Sequence, residues 1–329
     1  MYTIFVTRKI PEAGLALLKK QKNFRVRINS DDRVLTKEEL RKSVKGASAI
    51  LSLLTDKIDG DVLDSAGPQL KIVANYAVGF DNIDLDAAKK RGVMITNTPG
   101  DLVTESVAEH TFALIMALSH RIVESDRFTR AGKYKGWEPM LLTGTLLLGK
   151  TLGIVGLGRI GMGVARRAVQ GIGMRVLYTD QRRNDDFEKE YDAQYMPTLD
   201  RLLKESDVVT LHVPLLPSTR HLMGIKQFGL MKKTAFLVNT ARGPVVDEKA
   251  LLQALAKKKI AGAALDVFEC EPAIDCDLTD RLALKQFPQV ILTPHTASAS
   301  KEARDQMAEL AARNIIAVLS GKPPLNPAK

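Results

Sequence analysis

Cysteine is almost missing from this chain, with two residues in 329, Cys270 and Cys276. Two are too few for a disulfide framework, and neither has the company of a metal-ligand set. No metal is expected, and the simplest expectation is reduced thiols in a cytoplasmic protein. Aromatic residues are scarce as well, at 5% of the sequence with a single tryptophan, Trp137. A surface that reads nucleic acid interleaves aromatics with concentrated basic residues. Here the net charge of +10 is scattered in pairs such as Lys89 and Lys90, Arg166 and Arg167, and Lys232 and Lys233. Nucleic acid is therefore not an expected partner, whereas a general attraction for anionic ligands is. Long apolar runs are also lacking: the longest, TFALIMAL at 111–118, falls far short of the roughly 20 residues that span a bilayer. The opening MYTIFVTRKI has none of the regions of a secretory signal. Neither membrane insertion nor secretion is expected.

What is present describes an α/β chain. With 45% hydrophobic residues and 329 positions, about two domains with ample cores are expected. Residues 1–99 alternate strand and helix: YTIFVT, PEAGLALLKK, FRVRIN, TKEELRKSVK, SAILSLL, DGDVLDSA, KIVANYA, LDAAKKRG and VMITNT. Such alternation argues for a parallel sheet covered by helices. A single long helix is expected from Thr104 to about Lys133. Alternation resumes from Thr151, with strands in VVTLHV, AFLVNT, AGAALDVF and QVILTP, and with Thr198 and Asp247 as helix caps. A last helix is expected over about Lys301 to Leu319.

The segment TLGIVGLGRIG at 151–161 runs an apolar strand into Gly156, Gly158 and Gly161, followed by an amphipathic helix opening with Arg159 and Ile160. This is the pattern of a dinucleotide-binding turn. The first glycine permits the turn, the second lets the backbone approach a pyrophosphate, and the third lets the helix lie against the strand. The next strand, MRVLYTD, ends in Asp180, 19 residues beyond Gly161, where a carboxylate is expected to meet the adenosine ribose. NAD is the expected cofactor, with NADP use left open because Arg182 and Arg183 follow at once.

Three further segments place polar residues just past a strand, the edge at which open α/β sheets collect ligands. They are NTARGPVVD around Arg242, DVFECEP around Glu271 and ILTPHTASAS around His295. Five histidines are present, and His295 alone combines a strand end with a small-residue loop; His110 and His120 sit in the helical pattern, where a packed or solvated histidine is the ordinary expectation. Pairing with Glu271 would fix the tautomer of His295 and favour the imidazolium, as a proton donor requires. Arg242 can take a carboxylate with two parallel hydrogen bonds.

With NYAVGFDNID at 75–84, the glycine turn, VNTARGPVVDEKAL, AGAALDVFECEP and LTPHTASAS in place, the chain resembles the D-2-hydroxyacid dehydrogenase family, most of all its glyoxylate and hydroxypyruvate reductases. The resemblance implies two doubly wound parallel-sheet domains with a cleft between them: a flavodoxin-like substrate domain, 1–99 plus 296–329, and a Rossmann cofactor domain, 100–295. It implies that Arg242, Glu271 and His295 are catalytic. The backbone N–H groups of Val78 and Gly79 would hold the substrate carboxylate with Arg242, and Thr104, Thr240, Ala241 and Asp266 would line the nicotinamide end. Trp137 matches a residue that reaches a neighbouring subunit's pocket in hydroxypyruvate reductases, so a homodimer is expected, with solvent-shielded anchoring of its own loop as the equal alternative.

The reading is hydride transfer between NAD(H) and a small 2-oxo or D-2-hydroxy acid, with glyoxylate or hydroxypyruvate as substrate. The alternatives are a cofactor-sensing protein similar to transcriptional corepressors, or a relative acting on another 2-oxo acid or on phosphite. Val78 stands where phosphite dehydrogenases carry lysine, which disfavours the last. The regulatory domain often found in members acting on 3-phosphoglycerate is not expected after the last helix.

Overall fold

The computed structural model describes residues 1–271 and 283–328. They divide into two compact units, residues 1–103 with 299–329, and residues 104–298. The first unit is built on a five-stranded sheet of β1 (Tyr2–Val6), β2 (Phe24–Ile28), β3 (Ala49–Leu53), β4 (Ile72–Tyr76) and β5 (Met94–Thr96), in the order β2-β1-β3-β4-β5. Every pairing is parallel. That is the 2-1-3-4-5 order of flavodoxin-like doubly wound sheets.

The second unit carries seven parallel strands: β6 (Thr151–Val155), β7 (Arg175–Thr179), β8 (Gln194–Tyr195), β9 (Val208–Leu211), β10 (Phe236–Asn239), β11 (Gly262–Leu265) and β12 (Val290–Leu292). Their order, β12-β11-β10-β9-β6-β7-β8, is the Rossmann order 3-2-1-4-5-6 with one more strand at the end. The α/β class and both sheet types expected from the sequence are therefore found.

Parallel sheets carry helices on both faces, so their strands must be apolar throughout. Strands β4, β6 and β9 are buried at every position. The edge strand β2, FRVRI, is half-exposed and charged, which discourages pairing with another chain. In the first unit, the helix Lys301–Leu319 packs Ala303, Met307, Ala308, Ala311, Ala312 and Ile315 against the sheet core. Gly14 permits close contact with that helix, because a Cβ there would lie 2.3 Å from the Ala308 carbonyl oxygen. Thr198 and Asp247 cap their helices as expected, accepting hydrogen bonds from the backbone N–H groups of Arg201 and Ala250.

Two expectations are corrected. The long helix is in fact two, Asp101–Ser119 and Ile122–Arg130. Arg121 between them takes a left-handed conformation, φ 52°, while its guanidinium bonds Glu124. The carbonyl of Ser119 accepts from Thr145 N–H at 2.7 Å, and the missing side chain of Gly144 allows that approach. A bond from a distant segment thus ends the helix where apolar periodicity alone would continue it. The second correction concerns Cys270, which is disulfide-bonded rather than a free thiol. Cys276 and Pro272, the end of the DVFECEP segment, lie outside the described residues.

Candidate active site

In the second unit, the turn after β6 satisfies the demands of a dinucleotide cradle. Gly156 has φ 96°, and a Cβ on it would sit 2.8 Å from the His212 carbonyl oxygen. A Cβ on Gly161 would lie 2.3 Å from the Gly156 oxygen, so only glycine lets the helix Arg159–Arg167 start this close to the strand. Gly158 differs, because a Cβ there would meet nothing within 4 Å. Gly158 is the residue that precedes the helix Arg159–Arg167, so open space lies beside the backbone at the helix N-terminus, which suits a pyrophosphate. Arg159 is exposed and Ile160 half-buried in that first helical turn.

Asp180, at the end of β7, accepts hydrogen bonds from Leu157 N–H (2.7 Å) and Gln181 N–H (2.6 Å). Its carboxylate is thereby held against the glycine turn. Arg182 is exposed, whereas Arg183 is turned onto Glu188 (2.7 and 2.9 Å) and Asp185 (2.9 Å). Glu188 also accepts from the Tyr178 hydroxyl, and Arg183 beside it holds its carboxyl below the usual range.

The catalytic candidates of this unit come from three adjacent strand ends. Past β12, His295 takes a left-handed conformation, φ 55°, with its Nδ1 2.8 Å from Glu271 Oε2. Both side chains are partly exposed, and Nε2 is the ring nitrogen that points away from the carboxylate. The expected Glu271–His295 pair is therefore formed. Past β10, Arg242 is half-buried, with Nη1 donating to the Ala241 carbonyl. The amide of Asn239 braces this turn, donating to the Arg242 oxygen at 2.9 Å and accepting from Ala241 N–H at 3.0 Å. Thr240 is buried, its hydroxyl 2.8 Å from that of Thr111.

Asp266, fully buried at the end of β11, organises the loop that carries His295. Its oxygens accept from the Thr293 hydroxyl (2.6 Å), Thr296 N–H (2.8 Å) and Ala297 N–H (2.8 Å). Its carbonyl accepts from His295 N–H at 2.8 Å. His110 lies 3.5 Å from the carboxylate and 3.3 Å from the Thr293 hydroxyl, so it belongs to this network and is not an ordinary packed histidine. Burial by itself would push the Asp266 carboxyl up. Hydrogen bonds from His110, Thr293 and the two amides outweigh it and leave the group below its ordinary value.

Nothing in the sequence marks Gly243 except its place in the turn RGP, yet a Cβ there would fall 1.6 Å from the Phe268 oxygen. The Arg242 turn and the segment leading to Glu271 are thus in backbone contact. They are also clasped by reciprocal bonds, Glu248 N–H to Glu269 Oε2 and Glu269 N–H to Glu248 Oε1, with His221 Nε2 2.5 Å from Glu269 Oε1.

In the first unit, Val78 and Gly79 follow β4. Val78 is 37% exposed, and neither backbone N–H donates to an acceptor among the described residues. Consecutive free N–H groups of this kind form an anion-binding concavity. Thr104 is half-buried and Trp137 is 82% exposed in a stretch without regular structure. A cavity of about 460 Å³ lies elsewhere in the second unit, at the amino-terminal edge of β10 to β12, lined by Phe236, Ile260, Ile291, Lys233 and Lys258. It includes none of the expected site residues.

The state of Asp266 has a measurable consequence. Because its folded value is lowered, its contribution to stability is present above the ordinary carboxylate range and is lost as pH falls through the folded value. Asp266→Asn sets an amide NH₂ against backbone donors, leaving at least one unpaired at a cost of about 1–3 kcal/mol. Urea unfolding followed from neutral pH to below about pH 4 should show the variant less stable at neutral pH and less pH-dependent in acid. Parallel curves would remove Asp266 from this role.

Comparison with known proteins agrees with the geometry. Residues 112–297 match the model of the D-isomer specific 2-hydroxyacid dehydrogenase NAD binding domain. A glyoxylate reductase of Korarchaeum cryptofilum is 51% identical over 324 residues, covering 98% of this chain and 94% of the relative. The crystal structure of a Thermus thermophilus protein is similar with a TM-score of 0.90 and 41% identity, covering 99% of this chain and 100% of the other. An NADPH-dependent glyoxylate/hydroxypyruvate reductase of Sinorhizobium meliloti, solved with citrate, is similar with a TM-score of 0.83 and 32% identity, covering 100% of this chain and 98% of the other. A glycine turn capped by Asp180, a Glu271–His295 pair beside Arg242 and matches over nearly the whole length together mean that this chain belongs to the D-isomer specific 2-hydroxyacid dehydrogenase family.

Proposed function

We propose that this enzyme reduces glyoxylate or hydroxypyruvate to the corresponding 2-hydroxy acid, reversibly, with NAD(H) as cofactor. The observation that carries the reading is the 2.8 Å contact of His295 Nδ1 with Glu271 beside the Arg242 turn; relatives bearing the name glyoxylate reductase support the choice of substrate. Gly156, Gly158, Gly161 and the first turn at Arg159 and Ile160 would hold the cofactor's pyrophosphate, Asp180 its ribose, and Thr104, Thr240, Ala241 and Asp266 its nicotinamide end. When bound, that cofactor supplies or accepts the hydride.

The remaining chemistry belongs to side chains and backbone of this chain. Backbone N–H groups at Val78 and Gly79 bind the substrate carboxylate, and Arg242 grips it and polarises the carbonyl. His295 donates its Nε2 proton to the carbonyl oxygen as that oxygen becomes a hydroxyl, and takes it back in the oxidation direction. Glu271 keeps the other nitrogen protonated and the ring aimed.

NADH consumption with hydroxypyruvate or glyoxylate is the first test. Binding of NADH without turnover would favour a cofactor-sensing role instead. His295→Asn should lower turnover by about two to four decades with NADH affinity nearly unchanged. Arg242→Lys keeps the charge and loses the fork, so KM should rise and kcat fall together, a loss of roughly ten- to a hundredfold in efficiency. Lost cofactor binding with intact substrate kinetics would move Arg242 to the nucleotide site.

Asp180 should make NADH the better cofactor. Unit charges about 4 Å apart repel by roughly 4 kcal/mol at an effective dielectric of 20, before further solvent screening; of the two cations that follow, Arg183 is already engaged by Glu188 and Asp185, and exposed Arg182 is the one left to offset that repulsion. Asp180→Ser should shift kcat/KM toward NADPH; parent efficiency with NADPH equal to or above that with NADH would refute the assignment.

The stretch 122–148 exposes Ile122 (53%), Tyr134 (54%), Trp137 (82%), Met140 (80%), Leu146 (69%) and Leu148 (64%). So many exposed apolar side chains in one stretch mark an association surface, and a second copy of this chain is the partner proposed. Sedimentation should give a dimer that Met140→Asp with Leu146→Asp converts to monomer. A monomeric parent would overturn the reading.

A further inference from the structure

The loop that offers Val78 and Gly79 is held by its carbonyls. Ala77 O accepts from Thr98 N–H at 2.9 Å, Val78 O from Asn97 Nδ2 at 2.6 Å, Gly79 O from Asn75 Nδ2 at 3.0 Å and Phe80 O from Ile83 N–H at 3.0 Å. A peptide unit is planar and trans, so its C=O and N–H point in opposite directions. A tether on the carbonyl of one residue therefore aims the N–H of the next. The bond from Thr98 aims the N–H of Val78, and the bond from Asn97 aims the N–H of Gly79.

Asn97 is itself fixed from behind. Its N–H donates to Asn326 O at 3.2 Å. The segment around Asn326 runs antiparallel to β5, with a bridge between Thr96 and Pro327 and Ala328 N–H donating to Ile95 O at 2.9 Å. That segment is tied in turn to Asn314, a fully buried asparagine in the helix Lys301–Leu319. Asn314 Oδ1 accepts from the N–H groups of Leu325 (2.9 Å) and Asn326 (3.0 Å), and Nδ2 donates to Leu310 O (2.9 Å) and Asn326 Oδ1 (3.3 Å). A buried amide in mid-helix is costly unless its hydrogen-bonding groups are met, and here the segment 325–326 meets most of them.

We propose that Asn97 is a positioning residue for the substrate carboxylate, and that Asn314 acts on the same cradle at a distance through residues 325–326. The proposal rests on the reading that Val78 and Gly79 bind that carboxylate. Without the Asn97 tether the Val78–Gly79 peptide is free to rotate, and a flipped peptide presents a carbonyl oxygen to an anion. The loss falls on recognition of the carboxylate, not on proton transfer or on the cofactor.

Steady-state kinetics with glyoxylate, NADH affinity by fluorescence and thermal unfolding test this together. Asn97→Ala should raise KM for glyoxylate by about tenfold, the scale of one well-placed hydrogen bond, with kcat and NADH affinity close to the parent. Asn97→Asp, which removes the donor and adds a negative charge beside the loop, should raise KM further. Asn314→Leu, which removes the acceptor for the N–H groups of Leu325 and Asn326, should show the same KM signature. A purely structural role would instead lower melting temperature and the active fraction at unchanged KM, and that result would overturn the proposal. Val78→Pro, which deletes one N–H of the cradle, separates the two failures. If it raises KM while the Asn97 variants are silent, the cradle stands and the positioning role falls; if it too is silent, the cradle reading falls first.

Discussion

One buried carboxylate holds the carboxyl-terminal edge of the second unit's sheet together. Asp266 is fully buried at the end of β11. A bare carboxylate there would be strongly disfavoured, and it persists as an anion because donors from four residues converge on it. Three of those residues lie in the chain just past β12, at Thr293, Thr296 and Ala297. The loop between β12 and the following segment thus has little freedom, and His295 sits in its middle. The fourth, His110, ties the same carboxylate to the helix Asp101–Ser119. Burial cost and hydrogen-bond gain are therefore two sides of one device: the unmet carboxylate would be intolerable, so the loop closes on it.

Strain enters at the same place. His295 adopts a left-handed backbone conformation that a non-glycine residue takes at a cost of order 1–3 kcal/mol. Such a conformation persists when its surroundings over-determine it. The N–H of His295 bonds the Asp266 carbonyl while its neighbours bond the Asp266 carboxylate, so the residue is held from both sides of its own backbone. The ring is then placed to meet Glu271, which arrives on another segment fixed by the backbone packing of Gly243 against Phe268 and by the Glu248–Glu269 clasp.

Much of this was legible in the sequence where the signal is local. Apolar strand runs alternating with helices give parallel sheets, and the glycine turn with Asp180 marks the nucleotide edge. His295, Glu271 and Arg242 stand out because each follows a strand end. What escaped depends on contacts between distant segments. Apolar periodicity carries through Ser119 into 122–130, and only the bond from Thr145 shows why the helix stops. His110 reads as an ordinary helical histidine until β11 and β12 bring Asp266 and Thr293 to it. Asn97 and Asn314 carry no motif, since an asparagine that tethers a carbonyl looks in one dimension like any turn asparagine.

The residues proposed for recognition and chemistry use different materials in the two units. In the second unit, the charge and proton chemistry we propose would need side chains, and Arg242, Glu271 and His295 follow strand ends with the backbone serving to fix them. In the first unit the roles reverse: the groups offered are backbone N–H donors at Val78 and Gly79, and the side chains of Asn75 and Asn97 serve to fix the backbone. A backbone donor carries no net charge and does not give up its proton to a bound anion, so in the proposed mechanism it would bind a carboxylate without competing for the proton assigned to His295. Its weakness is rotational freedom of the peptide. That weakness explains why the carbonyls from Ala77 to Phe80 are all engaged while the N–H groups of Val78 and Gly79 are left open.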